Sequence, residues 1–275
     1  VSGTAFETIA GLVHARAGIV LGADKSYMLD TRLGGLMREH ALPDLDAVAA
    51  KLRGPASERL AAAVTEALTT NESFFFRDGK PFEHLRRVLP RLAATRPLGH
   101  RLRVLSAACS TGQEGYSVAM VADALGLASR LEVVGTDLST DVVRRAREGV
   151  YSQFEVQRGL PVQMLVKHFK QEGTQWRISP AMRALARFET GNLLADLRPL
   201  GTFDVIFCRN VLIYFDASTK TRVLSALADR LAPDGVLYLG GAETVLGLTT
   251  RFASVEGERG VYALSHTPVL GSVSA

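Results

Sequence analysis

The stretch Leu102-Arg103-Val104-Leu105-Ser106-Ala107-Ala108-Cys109-Ser110-Thr111-Gly112-Gln113-Glu114-Gly115 decides the fold. Leu102 to Ala107 is a short, bounded, mostly apolar run of the kind found in buried parallel strands. The small residues that follow let the backbone turn tightly and come close to a ligand before a helix opens at Gln113. The helical pattern runs from Gln113 to Leu125, a second apolar run from Leu131 to Asp137, and a second helix from Thr140 to Arg147. Further on, Val205 to Cys208 is a third run, followed by a helix over Ser218 to Leu231 and a strand over Val236 to Leu239. Strand and helix in alternation make a βαβ series, and the expected architecture is α/β with a doubly wound sheet.

Upstream the period is helical throughout. Thr4 with Glu7 fits a capping box, and Phe6, Ile9, Leu12 and Val13 carry a helix to about Ala15. Helices are also expected over Tyr27–His40, Leu45–Leu52 and Ala56–Leu68, with Gly54-Pro55 as punctuation. Residues 1–68 therefore read as a helical domain and 69–275 as the sheet domain. Within the latter, residues from about 151 to 190 interrupt the alternation and read as an inserted subdomain. Thr249 to Leu264 suggests a terminal hairpin, and Ser265 to Ala275 a loose tail.

A chain of 275 residues with 47% hydrophobic content can bury a substantial core. Its longest apolar stretches, such as Val211 to Phe215, end at a charged residue well short of the roughly 20 residues a membrane helix needs, so no membrane insertion is expected. Glu7, His14 and Arg16 interrupt the N-terminal apolar pattern, which does not read as a signal peptide; the cytoplasm is the expected location. Two cysteines, Cys109 and Cys208, support neither a disulfide scaffold nor a structural zinc site, and no metal is expected. A net charge of +4 and a pI near 9.2 mildly favour an acidic partner.

In an open α/β sheet, ligands bind beyond the carboxyl ends of the strands, so the residues just after each strand carry the chemistry. The turn around Gly112 suits a cofactor loop or an ordinary tight connection, since it is not GxGxxG. Asp137 closes the second strand about 25 residues beyond Gly112, near the spacing of a ribose-hydroxyl acceptor; alternatively it caps the next helix, which Ser139 or Thr140 could do as well. Arg209 and Asn210 end the third strand, which is expected to start near Val205 after the turn residues Gly201 and Asp204. The apolar residues around Tyr214 suit either a ligand wall or core. Thr69-Thr70-Asn71-Glu72-Ser73-Phe74-Phe75-Phe76-Arg77-Asp78 joins three aromatics to polar groups at the domain junction, as a ligand site or a structural latch.

Taken together, Thr69 to Arg77, Ser106 to Glu114, and Cys208-Arg209-Asn210-Val211-Leu212-Ile213-Tyr214-Phe215 resemble, in order and spacing, the CheR family of chemotaxis receptor methyltransferases. The resemblance covers nearly the whole chain. It implies a Rossmann-like class I methyltransferase sheet with an N-terminal helical domain and a small inserted β-subdomain. It also implies methyl transfer from S-adenosylmethionine to glutamates on receptor cytoplasmic helices, yielding glutamyl methyl esters and S-adenosylhomocysteine. By resemblance, Asn71, Ser73, Arg77 and Glu114 line the methionine and sulfonium side of the cofactor, Asp137 takes the ribose hydroxyls, and Asn192, Leu193, Arg209 and Asn210 enclose the adenine and nearby parts. Ser73 stands where many relatives have threonine, which keeps the hydroxyl.

A glutamate carboxylate is ionised at pH 7 and needs no general base, so the catalytic candidates Arg77 and Tyr214 are expected to orient rather than to move protons. Lys25, Arg32 and Arg38 are candidates to face an acidic receptor helix, or else are a solvated basic face. Relatives that hold a receptor C-terminal peptide carry an extended glycine-containing loop in the inserted subdomain. The stretch Lys170-Gln171-Glu172-Gly173-Thr174 is short, and independence of that tether is expected. A nucleic-acid methyltransferase is the enzymatic rival, but Arg209-Asn210-Val211-Leu212 lacks the polar-Pro-Pro-aromatic signature of base modification, so no nucleic-acid partner is expected. A cofactor-binding module without activity is the other rival.

Overall fold

The computed structural model describes residues 3–55 and 57–265. The chain divides into two compact units, Val1–Thr70 with Tyr214–Thr219, and Asn71–Ile213 with Lys220–Ala275.

The first unit is built from α1 (Gly3–Ala17), α2 (Tyr27–Glu39), α3 (Leu45–Leu52) and α4 (Glu58–Ala67). Their apolar faces meet in one core of Ile9, Val13, Leu29, Leu33, Leu45, Val48, Leu60, Val64 and Leu68. Asp44 starts α3 by accepting a hydrogen bond from Ala47 N at 2.8 Å. The capping box read at Thr4 does not form, because α1 already includes Gly3 and Thr4; the Thr4 carbonyl instead accepts from the Thr8 hydroxyl. Ala56, read as the start of a helix, lies outside the described residues, as does the tail beyond Ser265. Tyr214–Thr219 joins this unit late in the sequence: Val20 N donates to the Tyr214 carbonyl at 2.8 Å, Ile19 bridges Phe215, and His14 Nε2 lies 2.6 Å from the Asp216 carboxylate.

The second unit opens with α5 (Lys80–Thr95), a helix the pattern reading passed over. Pro81 sits in its first turn, where a missing N–H is harmless, and Pro90 lies inside it; Phe82, Leu85, Leu89 and Leu92 form its buried face. Then follow β1 (Leu102–Ala107), α6 (Gln113–Ala124), β2 (Leu131–Asp137), α7 (Thr140–Glu148), β3 (Val150–Ser152), α8 (Gln153–Gln157), α9 (Val162–His168), β4 (Phe169–Glu172) and β5 (Gln175–Ile178). The chain continues through α10 (Pro180–Arg183), β6 (Ala186–Thr190), β7 (Phe203–Cys208), α11 (Ala217–Ala228), β8 (Leu231–Leu239), β9 (Phe252–Ser254) and β10 (Val261–Leu264).

Seven strands form one sheet in the order β6-β2-β1-β7-β8-β10-β9. The first five are parallel, and β10 and β9 close the edge as an antiparallel pair. This is the expected doubly wound α/β architecture. The inserted segment forms its own antiparallel sheet, β3-β5-β4, while β6, the last part of the stretch read as inserted, pairs with β2 in the main sheet. Both sides of β1 and β2 are buried, which is why their sequences are near-continuous apolar runs.

Two boundaries differ from the sequence reading for one reason, a bulge between β7 and β8. Phe203 pairs with Leu231 and Val205 with Val236, so Asp204 on one strand and Ala232-Pro233-Asp234-Gly235 on the other fall inside strands rather than before them. Proline is tolerated at such a bulge. Asp204 is buried, accepting from Arg103 N and pairing with Arg96 at 2.7 Å, which also grips Asp234 at 2.6 Å. The helix read as far as Leu231 accordingly ends at Ala228, since Leu231 is already in β8. No helix among the described residues is long and apolar enough to cross a membrane.

Candidate active site

The direction of winding reverses between β1 and β7: from β1 the chain proceeds to β2 and β6 on one side, and from β7 to β8 on the other. Ligands of such sheets bind at this switch point, beyond the carboxyl ends. Ala107 is paired with Cys208 there, so the Gly112 turn and the Arg209-Asn210 turn leave the sheet side by side. Six non-glycine residues have positive φ among the described residues: Ala41, Phe76, Asp78, Ala108, Ser110 and Asn210. All but Ala41 lie in the three motif stretches, where stored backbone strain commonly marks a functional site.

The turn after β1 winds through Ala108 (φ 56°), Ser110 (φ 51°) and Gly112 (φ 92°). A Cβ at Gly112 would lie 3.0 Å from the Ala146 Cβ and 3.1 Å from the Phe188 ring, so glycine serves both the turn and the packing. Asp137 holds this turn: its buried carboxylate accepts from Ser110 N at 2.8 Å and from Ser139 N at 3.0 Å. The N-cap of α7 is Ser139, whose hydroxyl accepts from Val142 N.

Glu114 accepts from the Ser106 hydroxyl at 2.7 Å and from Arg209 Nη1 at 3.0 Å. The Arg209 side chain is 2% exposed, and its Nη2 also reaches Asp78 at 2.6 Å and the Arg77 carbonyl at 2.9 Å. A buried guanidinium thus has two carboxylates around it, which makes this a compensated cluster. Arg77 differs. It is half-buried, donates to the Glu72 carbonyl at 3.0 Å and lies over the Phe74 ring at 5.3 Å, and among the described residues it forms no ion pair. Asn71 is tied to the cofactor turn by its carbonyl, which accepts from the Ser110 hydroxyl at 2.7 Å; Ser73 follows two residues on, half-buried.

Beyond β7, Asn210 takes φ 58° and its Oδ1 is buried without a hydrogen-bond partner. Its backbone is held by a residue the sequence reading missed. Glu243, 8% exposed, accepts from Asn210 N at 2.8 Å and Gly240 N at 2.6 Å through one oxygen, and from Val211 N at 2.9 Å and Ile213 N at 3.3 Å through the other. It stands just past β8, so the strand-end rule applied to Leu239 would have found it. Asn192, past β6, folds its own turn by accepting from Leu194 N at 2.9 Å, and Leu193 is half-buried beside it. Tyr214 ends the short turn Leu212–Tyr214 and is half-buried. Both cysteines are buried, and desolvation pushes each thiol well up. Among the described residues no group of three His, Cys, Asp or Glu is placed to hold a metal.

These residues fit a nucleoside cofactor with an amino-acid tail. The tight strand-to-helix turn permits close backbone approach, a buried acid stands at the second strand's end, and the Asn210 Oδ1 is an acceptor awaiting a donor. A doubly wound sheet with such a cradle at its switch point is the architecture of a nucleotide-cofactor enzyme, and the match to a SAM-binding methyltransferase domain makes it an S-adenosylmethionine-dependent methyltransferase. More narrowly, the chain belongs to the CheR methyltransferase family, whose SAM-binding domain matches residues 71–261 and whose all-alpha domain matches residues 4–69. Chemotaxis protein methyltransferase Cher2 of Pseudomonas putida is 37% identical over 264 residues, spanning 93% of this chain and 96% of that one. Chemotaxis protein methyltransferase 1 of Pseudomonas aeruginosa is 38% identical with the same coverage, and the chemotaxis protein methyltransferase of Escherichia coli is 38% identical over 94% of this chain and 90% of its own. S-Adenosylmethionine is therefore the methyl donor.

Proposed function

We propose that this methyltransferase esterifies glutamate side chains on the cytoplasmic helices of chemoreceptors, working in the cytoplasm, and that Arg77 orients the carboxylate that is methylated. The observation that carries the residue assignment is the contrast between two neighbouring arginines: both terminal nitrogens of Arg209 are held by Glu114 and Asp78, whereas Arg77 forms no ion pair among the described residues. A guanidinium in that condition suits a bidentate grip on a carboxylate, whether of the substrate or of the cofactor's methionine end.

Bound S-adenosylmethionine would supply a methyl group made electrophilic by its sulfonium, with its sulfur as the leaving atom. The chain's own residues position and desolvate. A glutamate, with a pKa of about 4.3 in water, arrives ionised and needs no base, and Arg77 holds its carboxylate in line. In-line placement and removal of water from the nucleophile are what a site can add. Asp137 is assigned to the ribose hydroxyls, with Asn71, Ser73 and Glu114 on the methionine side and Asn192, Leu193, Arg209 and Asn210 at the adenine. The terminal nitrogens of Arg209 hold Glu114 and Asp78, which leaves its buried Nε as a donor it can offer a ligand. Tyr214 is assigned an orienting role.

The helical domain is assigned to receptor docking. Lys25 and Arg38 form no ion pair among the described residues, which suits an acidic partner; Arg32 is less available, since it donates to the Thr69 carbonyl at 2.6 Å and the Thr70 hydroxyl at 3.2 Å. Tether-independent action is supported by the tight turn between β4 and β5, where only Gly173 and Thr174 separate the strands. The test is transfer of labelled methyl to receptor cytoplasmic fragments followed by mild alkali. Release of the label as methanol is the expected result; label that resists alkali, or transfer only to nucleic acid, would refute the ester.

A further inference from the structure

Phe188 on β6 does two things. Its ring lies against three glycines of the cofactor cradle and its neighbouring strand: a Cβ added at Gly135 would stand 2.4 Å from it, and at Gly112 and Gly115 3.1 and 3.2 Å. It also lines a separate cleft of about 460 Å³, together with Tyr116, Ala184 and the arginines Arg147, Arg183 and Arg187. That volume lies within the range of small-molecule sites, roughly 300–1,000 Å³. Tyr116 meets Phe188 edge-on at 5.2 Å, its hydroxyl donating to the Ala146 carbonyl at 2.7 Å, but both rings are almost wholly buried, so the apolar surface open to a ligand comes from Pro180, Ala184 and Ala186.

The three arginines are not equivalent. Arg187 is neutralised by Glu132 and Glu189, each at 3.1 Å. Arg147 and Arg183 form no ion pair among the described residues, yet both are held by backbone: Arg147 Nε donates to the Phe188 carbonyl at 2.8 Å, and Arg183 Nη2 donates to the Arg147 carbonyl at 3.0 Å. Each guanidinium has five N–H donors, so most remain for a ligand, and tethering reduces the side-chain entropy lost when one binds. Two tethered cations beside Pro180, Ala184 and Ala186 describe a site for an oxyanion with a small apolar body.

We propose that this cleft is a second ligand site, distinct from the cofactor cradle, for a small organic phosphate or carboxylate whose oxygens are shared by Arg147 and Arg183. It is independent of which substrate is methylated. The test uses the full chain and phenyl phosphate as the probe, followed by calorimetry and by chemical-shift changes, with and without saturating S-adenosylhomocysteine. Saturable binding is expected that persists with the cradle filled, and that weakens about tenfold or more in R147Q/R183Q. Ala184→Glu, which sets a carboxylate in the cleft without touching either arginine, should weaken it as well. Absence of saturable binding, affinity unchanged in both variants, or competitive displacement by S-adenosylhomocysteine would each overturn the proposal.

Discussion

Glu243→Ala is expected to destabilise the chain by roughly 2–4 kcal/mol, because it strands one buried and three part-buried backbone N–H groups at up to about 1–3 kcal/mol each, partly offset by water reaching the less buried ones. The donors are Asn210, Val211, Ile213 and Gly240, and they define the turn that carries Arg209 and Asn210 out of β7. Glutamine does not rescue this. Each carboxylate oxygen accepts two N–H groups, so either orientation of an amide would aim its NH₂ at backbone donors 2.6–3.3 Å away. Space is equally restricted: a Cβ on Gly240 would already stand 2.7 Å from Glu243 Oε2 and 2.9 Å from Asn210 Nδ2. Urea unfolding reads the stability loss. In Glu243→Gln, provided it stays folded at low temperature, S-adenosylhomocysteine affinity should also fall about tenfold or more as the Asn210 turn relaxes. Wild-type stability in the alanine variant would mean that this carboxylate does not hold the turn.

What was readable in the sequence follows from how each feature is made. The strands β1, β2 and β7 are buried on both faces, and their apolar runs stand out without any knowledge of partners. The turn from Ala108 to Gly112 was readable because tight turning and close approach need small residues in one contiguous stretch. Glu243 was readable in place, just past a strand end, but not in role, because its partners are backbone N–H groups, three of them about 30 residues upstream, and backbone leaves no sequence signature. The split between Arg77 and Arg209 was hidden for a related reason. Both are arginines in polar stretches, and only the fold brings Glu114 and Asp78 to one of them. The helix over Lys80–Thr95 was obscured by prolines at 81 and 90, although Phe82, Leu85, Leu89 and Leu92 keep helical spacing. The β7–β8 bulge, which brings Asp204 and Asp234 to Arg96, likewise depends on a pairing register that neither strand encodes alone.

Arg77→Ala should lower kcat/KM for methyl transfer by about 10²–10³-fold, or roughly 3–4 kcal/mol, while leaving the fold nearly intact. The two halves of that statement rest on different observations. Arg77 contributes little to stability: it is half-buried, with one hydrogen bond to the Glu72 carbonyl and a place over the Phe74 ring worth about 0.5–1 kcal/mol. Its value to the reaction is larger, because a forked cation fixes both oxygens of a carboxylate, and misplacement of a nucleophile by about 1 Å can cost 10²-fold. Lysine keeps the charge and loses the fork, so Arg77→Lys should recover only part of the rate. Arg209 supplies the contrast. Arg209→Ala leaves Glu114 without its buried cation and should lower stability and cofactor binding together. Unfolding curves beside steady-state kinetics separate the cases. An Arg77→Ala protein that melts as early as it loses activity would make Arg77 a structural residue; one that binds S-adenosylmethionine normally but is saturated poorly by receptor fragments would place its grip on the substrate rather than on the cofactor.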